Sequence, residues 1–145
     1  MKVVLQRVLS ASVGVDGVPI GVIGRGYLLL VGLADGDDEA TVRRLAADVT
    51  KVRLMPDGQG KMGVNLRDAG GEVLAVSQFT LLADFTKGNR PSFHRAARPE
   101  AARPLFDLFV QELSSHLGRA VPSGVFGADM RVELVNDGPV TVVLE

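Results

Sequence analysis

The sequence predicts a single α+β domain over residues 1–145, with twisted antiparallel or mixed, barrel-like β-sheets and two main helices packed on them. Three observations carry this expectation. Runs rich in Val, Leu and Ile recur through the first third and again at the C-terminus. The apolar period switches to helical spacing in only two stretches, and 17 glycines and 7 prolines punctuate the segments between. A chain of 145 residues is also long enough to bury one real core.

The elements follow in order. "KVVLQRV" is a strand with apolar residues on both faces, and "ASVGV" and "VPIGVIG" flank Asp16-Gly17, a strong hairpin signal. "YLLLVGL" is a continuous apolar run bounded by Gly26 and "ADGDD", the pattern of a fully buried strand. Val42, Leu45, Ala46, Val49 and Val52 then fall at helical spacing behind Asp37, Asp38 and Glu39, which favour a helix start. Pro56 to Gly60 is a turn-rich loop, and "GEVLAVSQFTLLA" returns to strand character. A second helix places Ala102, Leu105, Phe106, Phe109, Leu113 and Leu117 on one face and closes at Gly118; it begins near Pro104, or at Pro99 with a bend. "AVPSGVF", "DMRVELV" and "PVTVVLE" are short terminal strands, and "NDGPVT" (Asn136–Thr141) interrupts the last two like a turn, because proline cannot donate a ladder hydrogen bond.

Composition narrows the function classes. There is no cysteine, which excludes disulfides, thiolate nucleophiles and Cys-based metal sites and fits a reducing compartment. The N-terminus meets polar residues too early for a secretory signal, and no apolar run approaches a membrane span, so a soluble cytoplasmic protein with no membrane partner is expected. A net charge of −1 means that any nucleic-acid contact must come from a local patch.

The candidates for chemistry are few. His94 and His116 have no metal-site spacing and no phosphate-binding fingerprint is present, so no cofactor and no metal are expected. His116 sits late in the second helix; His94 lies in a basic loop and could act as a base or a phosphate contact. "AVSQFTLLA" sets Ser77, Gln78 and Thr80 among apolar residues. As a strand it would turn Ser77 and Phe79 to one face and Gln78 and Thr80 to the other. Such a run is either a wet edge strand or a site floor that offers hydroxyls and backbone N–H groups to a carbonyl oxygen. Lys87, Arg90, Arg95, Arg98 and Arg103 interleave with Phe85 and Phe93. That mixture suits phosphates and unstacked bases, although charged loops are commonly just solvated.

"SQFTL" (Ser77–Leu81), "KGNRPSF" (Lys87–Phe93), "FGADM" (Phe126–Met130) and "NDGPVT" occur in that order behind an opening "MKVVLQRV..ASV.VDG". Five motifs in register over the whole chain make it resemble the D-aminoacyl-tRNA deacylase family, also called the D-Tyr-tRNA(Tyr) deacylase family. The resemblance implies a homodimer that hydrolyses the ester of D-aminoacyl-tRNA in translation quality control. It uses no cofactor and acts on no DNA. Ser77, Gln78, Phe79 and Thr80 would surround the scissile ester. Gly138 and Pro139 of the partner subunit, joined by a cis peptide and supported by Arg7, would select chirality by gripping the α-amino group. Lys87, Arg90, Pro91, Ser92 and Phe93, with Phe126, Gly127 and Ala128, would bound the terminal adenosine at the tRNA 3′ end. L-substrates would be rejected sterically, whereas Gly-tRNA, lacking a side chain, would be hydrolysed to some extent. An activated ester needs no triad, and either the ribose 2′-hydroxyl or Thr80 could drive the reaction; no dedicated base for Thr80 is evident. His94 departs from the family pattern, which usually has a small residue such as Ser there, and carries no assigned role. A non-catalytic RNA-binding module and a purely structural β protein are the rival classes.

Overall fold

The computed structural model describes all 145 residues, Met1–Glu145. Its backbone is one long strand, β1 (Lys2–Val15), with partners along both edges. Asp16 and Gly17 take φ of 50° and 78°, the left-handed pair that a tight hairpin requires, and turn the chain into β2 (Val18–Ile23). β3 (Gly26–Gly32) pairs antiparallel with Lys2–Val8 of β1, and β6 (Glu72–Ser77) lies parallel to β3. β7 (Arg131–Leu144) runs antiparallel along nearly the whole opposite edge of β1 and has no other strand beside it.

Two helices complete the layers. α1 (Glu39–Lys51) starts where the Asp38 carboxylate accepts the Thr41 N–H at 2.8 Å. The Thr41 N–H and hydroxyl hold that carboxyl below its usual pKa. α2 (Pro99–Leu117) begins at Pro99, tolerates Pro104 inside its first turns and ends on Gly118 in the left-handed region (φ 68°). Its buried face is Ala102, Phe106, Phe109, Leu113 and Leu117.

The core divides about the sheet by strand alternation. Tyr27, Leu29 and Val31 of β3 join Val3, Leu5, Val73, Ala75 and the helix faces in one cluster of 20 buried residues. Leu28, Leu74 and Val76 point to the opposite side, with Val8, Ala11, Val13 and Ile23, in a second cluster of 7. Burying the continuous apolar run of β3 on both faces accounts for its sequence.

Four sequence expectations need correction. The strand predicted over residues 71–83 ends at Ser77, and Phe79–Leu82 form a 3-10 turn, so the alternation assigned to Phe79 and Thr80 does not apply. Ser123 in "AVPSGVF" makes only one bridge, to Ala75. The loop after Pro56 folds into a small hairpin of β4 (Met55–Pro56) and β5 (Met62–Val64). "DMRVELV" and "PVTVVLE" are one strand, because β7 runs through Gly138-Pro139 instead of turning there.

Candidate functional site

The 3-10 turn exists because β3 ends in glycine. A Cβ at Gly32 would stand 3.0 Å from the Gln78 carbonyl and 2.5 Å from a Leu82 methyl, so only glycine lets the chain after β6 cross so closely. The crossing is pinned by Gln78 N–H to the Val31 carbonyl at 2.7 Å. The first bond of the turn is Leu81 N–H to the Gln78 carbonyl at 3.3 Å. The N–H groups of Phe79 and Thr80 come before it and have no backbone acceptor. The Thr80 hydroxyl accepts the Gln78 side-chain amide, and no imidazole or carboxylate is hydrogen-bonded to it.

Beside this turn opens a pocket of about 600 Å³. Ser77, Gln78 and Phe79 form one wall; Phe93, Phe126, Gly127 and Ala128 contribute others, so seven of the predicted site residues meet here. The Phe93 ring stands edge-on to Phe79, with centroids 4.9 Å apart and planes at 70°. Phe126 leans on Phe106 from α2, and the Arg103 guanidinium lies 5.6 Å from its ring centre. Most of the lining is hydrophobic, and Arg98 is its one charged residue.

The basic loop does not enter the pocket as a unit. Asp84 and Ser92 close its neck by two backbone bonds of 2.8 and 2.9 Å. Lys87, Arg90, Ser92 and His94 line a separate, small polar cleft with Asp84 and Thr86, while Pro91 lines neither space. The Asp84 carboxyl is held below its ordinary pKa, chiefly by the Thr86 N–H. His94 is spent on this neck: Nδ1 lies 3.1 Å from the Ser92 hydroxyl and Nε2 3.7 Å from Asp84. His116 falls in the last turn of α2. No group of three or more His, Asp or Glu stands together as a metal site.

Arg7, Gly138 and Pro139 lie elsewhere. Gln6 pairs with Thr141 and Val8 with Asn136, so residues 137–140 bulge opposite Arg7 alone. Arg7 is only 9% exposed. Its Nε donates to the Asp137 carbonyl at 3.1 Å and lies 3.3 Å from the Asp137 carboxylate, while Nη1 donates to the Leu54 carbonyl at 2.6 Å. Gly138 has φ of 129° and a cis bond to Pro139; a Cβ on it would stand 2.9 Å from the Val140 nitrogen and 3.4 Å from Arg7 Nη2. Beneath Arg7, across the β1–β3 ladder, is Tyr27. Its hydroxyl is buried near the Leu54 backbone and Arg7 without a partner at ordinary hydrogen-bond geometry, and burial pushes its pKa up to about 12. Gly138 is six residues beyond Val132, the last β7 residue to line the pocket, which along a strand is about 20 Å. Within one chain the bulge and the pocket do not meet.

Sequence reasoning missed the Leu54 carbonyl that anchors Arg7, for which no side-chain signal exists. It singled out Arg98 only as one member of a basic run.

Comparison with known proteins agrees with this architecture. The D-Tyr-tRNA(Tyr) deacylase family model matches residues 4–145. A D-aminoacyl-tRNA deacylase from Dechloromonas aromatica is 56% identical over 145 residues, covering 100% of this chain and 97% of its own. Among solved structures, a c-Myc DNA unwinding element binding protein superposes with a TM-score of 0.93 at 38% identity, covering 100% of this chain and 98% of that one. A probable eukaryotic D-amino acid tRNA deacylase shares the fold, with a TM-score of 0.86 at 18% identity over 99% and 97% of the two chains. With the Ser77–Leu82 turn, the aromatic pocket and the Arg7 bulge all falling within the matched span, the chain belongs to the D-Tyr-tRNA(Tyr) deacylase family.

Proposed function

We propose that this chain hydrolyses the ester bond of D-aminoacyl-tRNA, releasing the free D-amino acid and tRNA, with the terminal adenosine in the aromatic pocket and the ester carbonyl at the Ser77–Thr80 turn. Family membership supplies the reaction class. The observation that carries the site is the pair of unbonded N–H groups at Phe79 and Thr80, at the start of a turn whose Phe79, with Ser77 and Gln78 before it, lines a largely apolar pocket. As water adds to the carbonyl carbon, negative charge builds on the carbonyl oxygen. Fixed N–H donors stabilise that charge without reorganising. Collapse expels the ribose oxygen and leaves a carboxylate. Such donors are each worth about 10²–10³-fold in rate elsewhere, which is ample for an ester that is already activated.

Thr80 is not the nucleophile in this scheme. Its hydroxyl faces an amide donor and no base, so nothing removes its proton. The 2′-hydroxyl of the terminal ribose, next to the ester, directs the water instead. A tRNA ending in 2′-deoxyadenosine is then cleaved far more slowly, whereas cleavage at the normal rate returns the role to a side chain.

Chirality is read by a second copy of the chain. Gly138 and Pro139 are exposed and far from their own pocket, and Leu9 and Val135 on the neighbouring strands are 52% exposed apolar residues, material for a homodimer contact. In that dimer the Gly138 and Pro139 carbonyls hold the substrate's α-amino group over the partner's Ser77–Thr80 turn. The grip leaves no room for an L side chain, and it cannot exclude glycine. Turnover of D-Tyr-tRNA with L-Tyr-tRNA spared, and partial turnover of Gly-tRNA, is the expected result. Equal survival of both tyrosyl esters with excess protein refutes the enzyme, and equal loss of both refutes the selector.

A further inference from the structure

The pocket contains one charge that no motif accounts for. Arg98 lines it among hydrophobic neighbours, at the cap position before α2. Its backbone is held firmly: the preceding Ala97 N–H donates to the Leu33 carbonyl at 2.9 Å, and the Arg98 carbonyl accepts from Ala101 and Ala102. Its guanidinium makes no capping bond and joins none of the ion pairs of the chain. Arg103 is engaged with the ring and carbonyl of Phe126, and Lys87 and Arg90 line the separate polar cleft beside Asp84 and not this pocket.

A terminal adenosine has three chemically distinct ends. The base seeks apolar and aromatic walls, the ribose hydroxyls carry the ester, and the 5′ oxygen continues into a phosphodiester that bears a full negative charge. With the ester at Ser77–Thr80 and the base among Phe93, Phe126 and Ala128, that phosphate leaves along a rim whose one cation is Arg98. We propose that Arg98 binds the phosphodiester linking the terminal adenosine to the preceding nucleotide. A guanidinium fork suits two phosphate oxygens, and an unpaired side chain gives up no protein partner to reach them. Arg98 thereby lets the enzyme distinguish the end of a polynucleotide from a free aminoacyl nucleoside. This inference rests on the adenosine occupying the pocket.

The test compares D-Tyr-tRNA with D-Tyr esterified to adenosine, which has no phosphate. Arg98→Ala is expected to raise KM for D-Tyr-tRNA about 5-fold at moderate salt and to flatten its log–log salt dependence by about 0.7, with kcat unchanged. KM for the adenosine ester stays as in the unaltered protein, and Arg98→Lys recovers most of the loss. An unchanged KM for D-Tyr-tRNA, or an equal rise for both substrates, overturns the phosphate contact. Ala128→Phe, which fills the pocket, must raise KM for both substrates. If it raises neither, the adenosine lies elsewhere and the Arg98 contact falls with it.

Discussion

The pocket draws its walls from β3, β6, β7, α2 and the loops that carry Phe93 and Phe126, whereas the Asp137–Val140 bulge hangs on a single buried guanidinium. The pocket walls are apolar and redundant, so any one lining residue contributes little to its shape. The bulge has no redundancy: Arg7 ties the Asp137 backbone and carboxylate to the Leu54 carbonyl, three groups from two distant residues held by a third. Redundant apolar walls suit a ligand common to every substrate. A surface fixed at one point by directional bonds suits a discrimination in which small displacements matter.

The largest expected effect comes from removing that fixed point. Arg7→Ala leaves the Leu54 carbonyl without its donor and frees the bulge, at about 2–3 kcal/mol of stability for the lost charge-assisted bonds. In the reaction it should lower kcat/KM for D-Tyr-tRNA by about 10²-fold or more. Because the pocket is untouched, binding of uncharged tRNA, followed by filter retention, should change little. Parallel losses in binding and turnover would show that the two regions are not separate.

Gly32→Ala makes the complementary break. Its Cβ forces the Gln78 carbonyl and the Leu82 side chain back, which displaces the Phe79 and Thr80 N–H groups while Arg7 stays in place. A loss of about 10–10²-fold in kcat with D-over-L preference preserved is the expected pattern. A selective loss of stereochemical preference in single-turnover assays would contradict it.

The smallest effect is spectroscopic. Tyr27 is the only tyrosine and there is no tryptophan, so near-ultraviolet absorbance follows this one hydroxyl. Its folded pKa is raised above the ordinary 10.0 to about 12 because burial disfavours the phenolate. The stabilisation from keeping it neutral is therefore complete below about pH 10 and is lost as pH rises toward 12. The phenolate signal of the folded protein should appear near the upper value. A reversible folded-state titration near 10 would mean that the floor beneath Arg7 is wet.

Much of this was legible in sequence because it is local. Asp16-Gly17 between β-rich runs specified its hairpin, and Asp38 ahead of Val42 and Leu45 specified a helix start. Leu81 and Leu82 misled because their apolar character continues the strand pattern of Val73–Val76; what makes them a turn is the close passage over Gly32, a contact remote in sequence. "NDGPVT" misled in the opposite sense. Gly138-Pro139 would stop an ordinary strand, yet β7 continues past it because four residues bulge opposite the one buried Arg7, a register fact that only pairing with β1 creates. The Ser77–Phe79 and Phe126–Ala128 segments were identified as neighbours, whereas the Lys87–Ser92 side chains were not separable from the pocket without the Asp84–Ser92 neck.

The central claim is that a complete site takes its pocket from one copy and its bulge from another. Two variants test it by complementation: Ala128→Phe, which fills the pocket, and Gly138→Ala, whose Cβ meets Val140 and Arg7 at a φ of 129°. Assayed at D-Tyr-tRNA concentrations far below the raised KM of Ala128→Phe, each is expected to show almost no turnover alone. Unfolded together in equal amounts and refolded, half of the dimers pair one variant with the other, and each such dimer contains one site with both parts intact. About one quarter of normal activity should return. If the mixture stays as inactive as its components although mixed dimers form, both parts act within one chain and the cross-subunit site is wrong.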